Sequence, residues 1–265
     1  MSKDQGDVSM TQNQADRREM TLKQKLSLPE EAPPPWSITI AAVTALVLFI
    51  NLIGVGPAIS SLLLGSSQPS PFLLMLGWTF GLALTLVYVL INRRSSPASW
   101  QALRLNRGWL PWQIVLLLGV AIALGVDVTI SLASGQFLPI PEIFDFQSQG
   151  LAGTIAAALL LVLMQPAAES LVFQAVILPS LRSTVGPWGG VAITSALSAL
   201  LHYLVFFAPY QAHYDALWYG LAYPWLTGLA FCLLKVYTGS SRAVIIGRGG
   251  AGLIFLLTAL ALVGG

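Results

Sequence analysis

The chain has 265 residues, 13 of them Lys or Arg and 11 Asp or Glu, so 9% are charged and 55% are hydrophobic. Its mean hydropathy is +0.75. Soluble domains carry about 25% charged residues, which excludes a water-soluble enzyme; a disordered chain would be less hydrophobic and more charged, and a formal net charge of +2 points to no nucleic-acid partner. What remains is an all-α, polytopic membrane helix bundle. The single cysteine, Cys232, has no internal disulfide partner and carries no information about compartment.

Residues 1–35 hold eleven of the charges, Lys3 to Glu31, in a Gln-, Asp- and Lys-rich stretch without a long apolar run. This reads as a disordered cytoplasmic tail, not a signal peptide, closed by the stiff Pro33-Pro34-Pro35 linker. Residues 36–265 then form the transmembrane domain. Apolar segments of the length a bilayer requires, about 20 residues, fall near Trp36–Ile59, Pro71–Ile91, Leu110–Ala133, Leu151–Leu178, Gly189–Ala208, Leu217–Tyr237 and Ala243–Val263. The fourth is long and carries Pro166, which removes a backbone hydrogen bond and predicts a kink. The sixth and seventh are interrupted by Tyr223-Pro224 and Gly247-Arg248-Gly249-Gly250, so the pattern leaves room for an eighth span.

The basic residues fix an orientation. The tail has five, Asn92–Trp109 has Arg93, Arg94, Arg104 and Arg107, the fourth connection has Arg182, and the sixth has Arg242 with Lys235 at its edge. The first, third and fifth connections have none, so with seven spans every basic connection lies on one side, which by the positive-inside rule is the cytoplasm. The expectation is an integral protein of a bacterial plasma membrane with a cytoplasmic N-terminus. Ser134–Gly150, with Phe137, Phe144 and Phe146 between Pro139, Pro141, Glu142 and Asp145, reads as an outer-surface loop or interfacial helix. Trp36, Trp100, Trp109, Trp112, Trp188 and Trp218 fall near span ends, as interfacial anchors do.

Only Asp127, Glu169 and Arg248 remain as charges inside spans, joined by the titratable His202. Each intramembrane charge costs about 2.5–3.5 kcal/mol on insertion scales, so such residues face a cavity or one another. From the helical rise, Glu169 lies roughly 14 Å, His202 roughly 20 Å and Arg248 roughly 8 Å from the cytoplasmic side, which places the three in one region. Asp127 lies nearer the outer end of its span. A carboxylate and an imidazole on neighbouring spans suit general acid–base work on a water; the same residues equally suit a polar clamp, a Glu–Arg pair with His202 beside it. A metal centre is not expected, because one Glu and one His fall short of the three protein ligands a catalytic zinc uses. No cofactor is expected either.

The run Glu169-Ser170-Leu171-Val172-Phe173-Gln174, then Ser198-Ala199-Leu200-Leu201-His202, then the landmark Thr238-Gly239-Ser240, resembles the ordered motifs of the CAAX protease and bacteriocin-processing (CPBP, or Abi) family of intramembrane proteases, over roughly Leu110 to Gly252. That family's motifs read Glu-Glu-x-x-x-Arg, Phe-x-x-x-His and His-x-x-x-Asn. The resemblance implies that Glu169 and His202 match the pair that activates the hydrolytic water. It also marks departures: the second Glu is Ser170, the Arg is Gln174, and the third-motif positions, which stabilise the oxyanion in the family, are Arg248 and Gly252. Losing one oxyanion donor costs about 10²–10³ in rate. Arg248 either stabilises an oxyanion or supplies, from the seventh span, the positive charge lost at Gln174.

The expected function is therefore a non-proteolytic or feebly proteolytic relative that binds a membrane protein or peptide in the bilayer. The alternative is an active glutamic-type intramembrane endopeptidase using Glu169 and His202 with Arg248 assisting, and a third is a small-molecule or ion transporter, for which paired broken segments are lacking. Gly247-x-Gly249-x-x-Gly252 matches a dinucleotide fingerprint, but it lies in an apolar span without a βαβ context; small residues there suit close helix approach.

Overall fold

A computed structural model describes residues 20–27, 33–64, 71–106, 108–135, 150–207 and 216–263, and among these the regular structure is entirely helical. Seven helices are long and apolar enough to cross a membrane: Ile38–Ile59, Pro71–Arg94, Trp112–Ser134, Gly150–Val185, Pro187–Phe206, Leu217–Thr238 and Ser241–Ala261, called here the first to seventh spans. The protein is an integral membrane protein. Large apolar side chains such as Leu46, Leu117, Leu132 and Leu163 point outward, where lipid covers them. The Ser134–Gly150 loop reading falls, apart from its ends, outside the described residues.

The fourth span is the axis of the bundle, in contact with the first, second, fifth, sixth and seventh. It runs unbroken for 36 residues, roughly 54 Å at the helical rise, and so overshoots the bilayer core and carries Arg182 beyond the end expected at Leu178. Pro166 does not end it. Wide π-type turns, Leu159–Met164 and Ser170–Ile177, flank the Gln165–Glu169 segment, and such turns give a helix another way to place the carbonyls that a proline leaves unbonded. All eight residues of Ser170–Ile177 are buried.

Lipid tails are as apolar as Leu, so helix pairing here depends on close contact and polar bonds rather than on hydrophobic burial. The glycine run of the seventh span supplies the contact. A Cβ on Gly252 would overlap the Leu161 carbonyl of the fourth span, one on Gly250 the Leu116 carbonyl of the third, and one on Gly119 of the third the backbone of Gly247. The fingerprint-like pattern is thus a helix-packing surface. Between the first two spans, Asn51 Nδ2 donates to Thr85 Oγ1 at 2.9 Å, and Gly81 lies directly against the Asn51 carbonyl.

One end of the bundle collects the basic residues. There the Thr238-Gly239-Ser240 turn, with Gly239 at φ 66°, joins the sixth and seventh spans. Ser240 Oγ donates to the Asn106 carbonyl at 2.8 Å, the Ser241 amide to the Arg104 carbonyl at 2.9 Å, and Lys235 Nζ to Ser241 Oγ at 2.7 Å. Trp36, expected as an interfacial anchor, is instead 6% exposed. Its indole N–H is shared between Ser180 Oγ at 2.9 Å and the Val176 carbonyl at 3.2 Å, and the Arg93 guanidinium lies 4.5 Å above its ring. Trp100, Trp109, Trp112 and Trp188 keep the exposure an anchor needs.

Within the stretch read as a disordered tail, Leu22–Ser27 forms a short helix docked on this basic end, with Leu26 buried. Residues 1–19 lie outside the described part. A helix of six residues does not hold by itself in water, so its order comes from the surface it sits on.

Two glycine substitutions in the third span separate packing from propensity. Gly119→Ala should lower stability by about 1–3 kcal/mol through overlap with Gly247. Gly125→Ala meets nothing within 4 Å and should leave the melting temperature in detergent unchanged or slightly raised, since Ala is the better helix former.

Candidate functional site

Glu169 sits at the end of the Gln165–Glu169 turn on the central span, where its side chain is 0% exposed. A lone carboxylate in such a place would be very costly, and three neighbours resolve that cost. Arg248 Nη1 from the seventh span reaches Glu169 Oε2 at 2.6 Å, a length that marks a charge-assisted bond. His202 Nε2 from the fifth span lies 3.1 Å from the same oxygen. Gln165 Nε2, one turn earlier on the same helix, donates to Oε1 at 2.8 Å. The three residues singled out from the sequence therefore meet around one carboxylate.

The seventh span can deliver Arg248 because the Thr238-Gly239-Ser240 turn sets its start and Gly250 and Gly252, with Gly119 of the third span, let it lie against the third and fourth spans. The guanidinium carbon stands 5.0 Å from the Phe231 ring centre of the sixth span, a cation–π contact. Its Nε and Nη2 are buried without a hydrogen-bond partner among the described residues. Glu169 is thus the acceptor that fixes this cation. His202 is the accessible member, with its side chain 27% exposed. Its ring lies 5.4 Å from Phe206, which packs edge-on against the buried Trp78 at 4.8 Å.

The departures from the family motifs have structural consequences. Gln174 does not join the Glu169 cluster through any hydrogen bond it makes among the described residues; its amide instead approaches Cys232 Sγ at 3.8 Å, as does Ser195 Oγ at 3.7 Å. Ser170 Oγ is buried without a hydrogen-bond partner among the described residues. Gly252 has no side chain to offer an oxyanion and serves as a contact point on Leu161.

Asp127 lies elsewhere. Tyr219 of the sixth span donates its hydroxyl to Asp127 Oδ1 at 3.3 Å, and the same hydroxyl is 3.3 Å from Ser131 Oγ. This ties the third span to the sixth. Sequence reasoning missed Gln165 and Phe231. Gln165 was detectable as a donor four residues before an intramembrane Glu; a phenylalanine in an apolar span carries no such mark.

A carboxylate offers about four lone-pair sites, and three are occupied. Such a group can hold three helices together, or, if its last site opens to water, act as a base with His202. This defines the class: a polytopic helical membrane protein with an intramembrane glutamate at the junction of three spans. Residues 151–254 match the family model described as Rce1-like, type II CAAX prenyl endopeptidase Rce1-like. That stretch runs from the fourth span into the seventh and contains Glu169, His202 and Arg248, so over these residues the chain is similar to the CAAX protease and bacteriocin-processing family. No curated protein and no solved structure matches the chain.

Removing one partner of a buried ion pair leaves the other uncompensated, so Arg248→Ala should destabilise by about 3–5 kcal/mol. His202→Ala removes one hydrogen bond to the carboxylate at a partly exposed edge and should cost less, about 1.5–3 kcal/mol. Thermal melts of the two variants in the same detergent check the order; equal losses would show that Arg248 is not the principal partner.

Proposed function

We propose that this protein is a non-proteolytic or feebly proteolytic relative of the intramembrane endopeptidases, in which Glu169, His202 and Arg248 hold the fourth, fifth and seventh spans together around a surface that binds a membrane protein or peptide. The observation that carries the reading is the 2.6 Å contact between Arg248 and a fully buried Glu169. A general base must reach the proton it abstracts. Here three of the acceptor sites face Arg248, His202 and Gln165, and the third-motif positions provide one arginine already engaged and one glycine.

The alternative, an active glutamic-type endopeptidase, is favoured by one observation. Glu169 and His202 stand 3.1 Å apart, the contact that a water-activating pair would use, and His202 is the more accessible of the two. In that reading Arg248 moves from Glu169 to the developing oxyanion during reaction. The orientation is proposed from charge: the end carrying Lys25, Arg94, Arg104 and Arg242 faces the cytoplasm, with the N-terminal segment on that side.

The test is cleavage of a C-terminally prenylated peptide by the full-length protein in nanodiscs, with Glu169→Ala and His202→Ala in parallel. The expected result is no turnover above that of either variant, with binding of the peptide retained. Turnover that disappears in both variants would overturn the proposal and establish the endopeptidase.

A further inference from the structure

The Leu22–Ser27 helix is the one element described here that neither spans the membrane nor connects two spans directly, and its contacts are specific. Leu26, 3% exposed, joins Leu178 of the fourth span, Val191 of the fifth and Cys232 of the sixth in one packed cluster. Lys25 Nζ donates to the Tyr237 carbonyl at 3.2 Å and stands 4.7 Å from the Tyr237 ring centre and 5.7 Å from that of Trp109. Arg182 Nη2 donates to the Lys25 carbonyl at 3.4 Å. Apart from that with Trp109, these contacts are made to the basic end of the fourth, fifth and sixth spans.

Beside this apolar cluster lie three polar groups. Cys232 Sγ receives both Ser195 Oγ and Gln174 Nε2, and Gln174 Oε1 is buried with no hydrogen-bond partner among the described residues. Gln174 belongs to the π-type turn that begins directly after Glu169. Ser195, Cys232 and Gln174 thus form a short polar seam between the fourth, fifth and sixth spans beside Leu26, and Gln174 lies five residues after Glu169 on the fourth span. An isolated leucine and a cation over two rings, on a helix too short to persist alone, make a closure that can lift without unfolding the bundle.

We propose that Leu22–Ser27 is a strap that seals the basic end of this seam and, by leaving it, admits solute from that side. This holds whether or not the protein is proteolytic. Cys232 is the single cysteine of the chain and is 0% exposed under the strap, so its reaction rate reports the seal directly.

The experiment uses the full chain in nanodiscs and a small, charged, membrane-impermeant methanethiosulfonate reagent, with Cys232→Ser as the unlabelled control. Leu26→Asp removes the buried contact, and Lys25→Glu removes the cation without touching the core. Both should raise the labelling rate of Cys232 about tenfold or more, because thiol reaction follows access, while the melting temperature of the bundle stays within a degree or two of the unsubstituted chain. An unchanged rate in either variant overturns the proposal, as does rapid labelling of the unsubstituted chain. A rise that accompanies a fall in melting temperature overturns it too, since it reports a loosened bundle.

Discussion

The buried ion pair between Glu169 and Arg248 is the constraint on which the arrangement of the core spans depends. An intramembrane carboxylate needs a partner, and the nearest cation sits on a different span with a long side chain. Bringing the two within 2.6 Å requires the seventh span to lie close against the third and fourth, and that approach is possible only where side chains are absent. At Gly119, Gly250 and Gly252 a Cβ would collide with a neighbouring backbone, which at Gly119 is that of Gly247. Charge pairing and glycine packing are therefore two parts of one solution.

The same pair decides how the family chemistry is to be read. Glu169 and His202, the positions that match the family's motif glutamate and histidine, stand 3.1 Å apart. The other motif positions make contacts away from this pair: Gln174 turns to Cys232, Ser170 Oγ has no hydrogen-bond partner among the described residues, and Gly252 meets a carbonyl. Arg248 brings a positive charge to Glu169 from a different helix. In water a Glu–Arg contact contributes little; inside a bilayer its removal strands a charge, and this asymmetry makes it a structural element.

Much of this was legible in the sequence because membrane spans and intramembrane charges are both signalled by composition. The seven spans follow from hydropathy, and subtracting the tail and connections leaves Glu169, His202 and Arg248, which the fold brings together. The parts that were not legible depend on contacts between segments far apart in the chain. Trp36 reads as an interfacial anchor, but Ser180 and Arg93 draw it inside. Leu26 sits in a polar stretch and looks unremarkable until the Val191 and Cys232 surface is present to receive it. The fourth span reads as ending near Leu178, yet the helix continues to Val185, because protein contacts rather than lipid hold its last turns. Phe231 is one apolar residue among many, and only the position of Arg248 gives it a role.

The most direct measurement is a double-mutant cycle on the pair, comparing the unfolding free energies of the unsubstituted protein, Glu169→Gln, Arg248→Met and the double variant under one set of conditions. If the two residues form the clamp, each single change is strongly destabilising, the double variant recovers much of the loss, and the coupling energy is about 2–3 kcal/mol. Additive effects, with no coupling beyond about 0.5 kcal/mol, would show that Glu169 is not held by Arg248 and would remove the central support for a structural rather than catalytic glutamate.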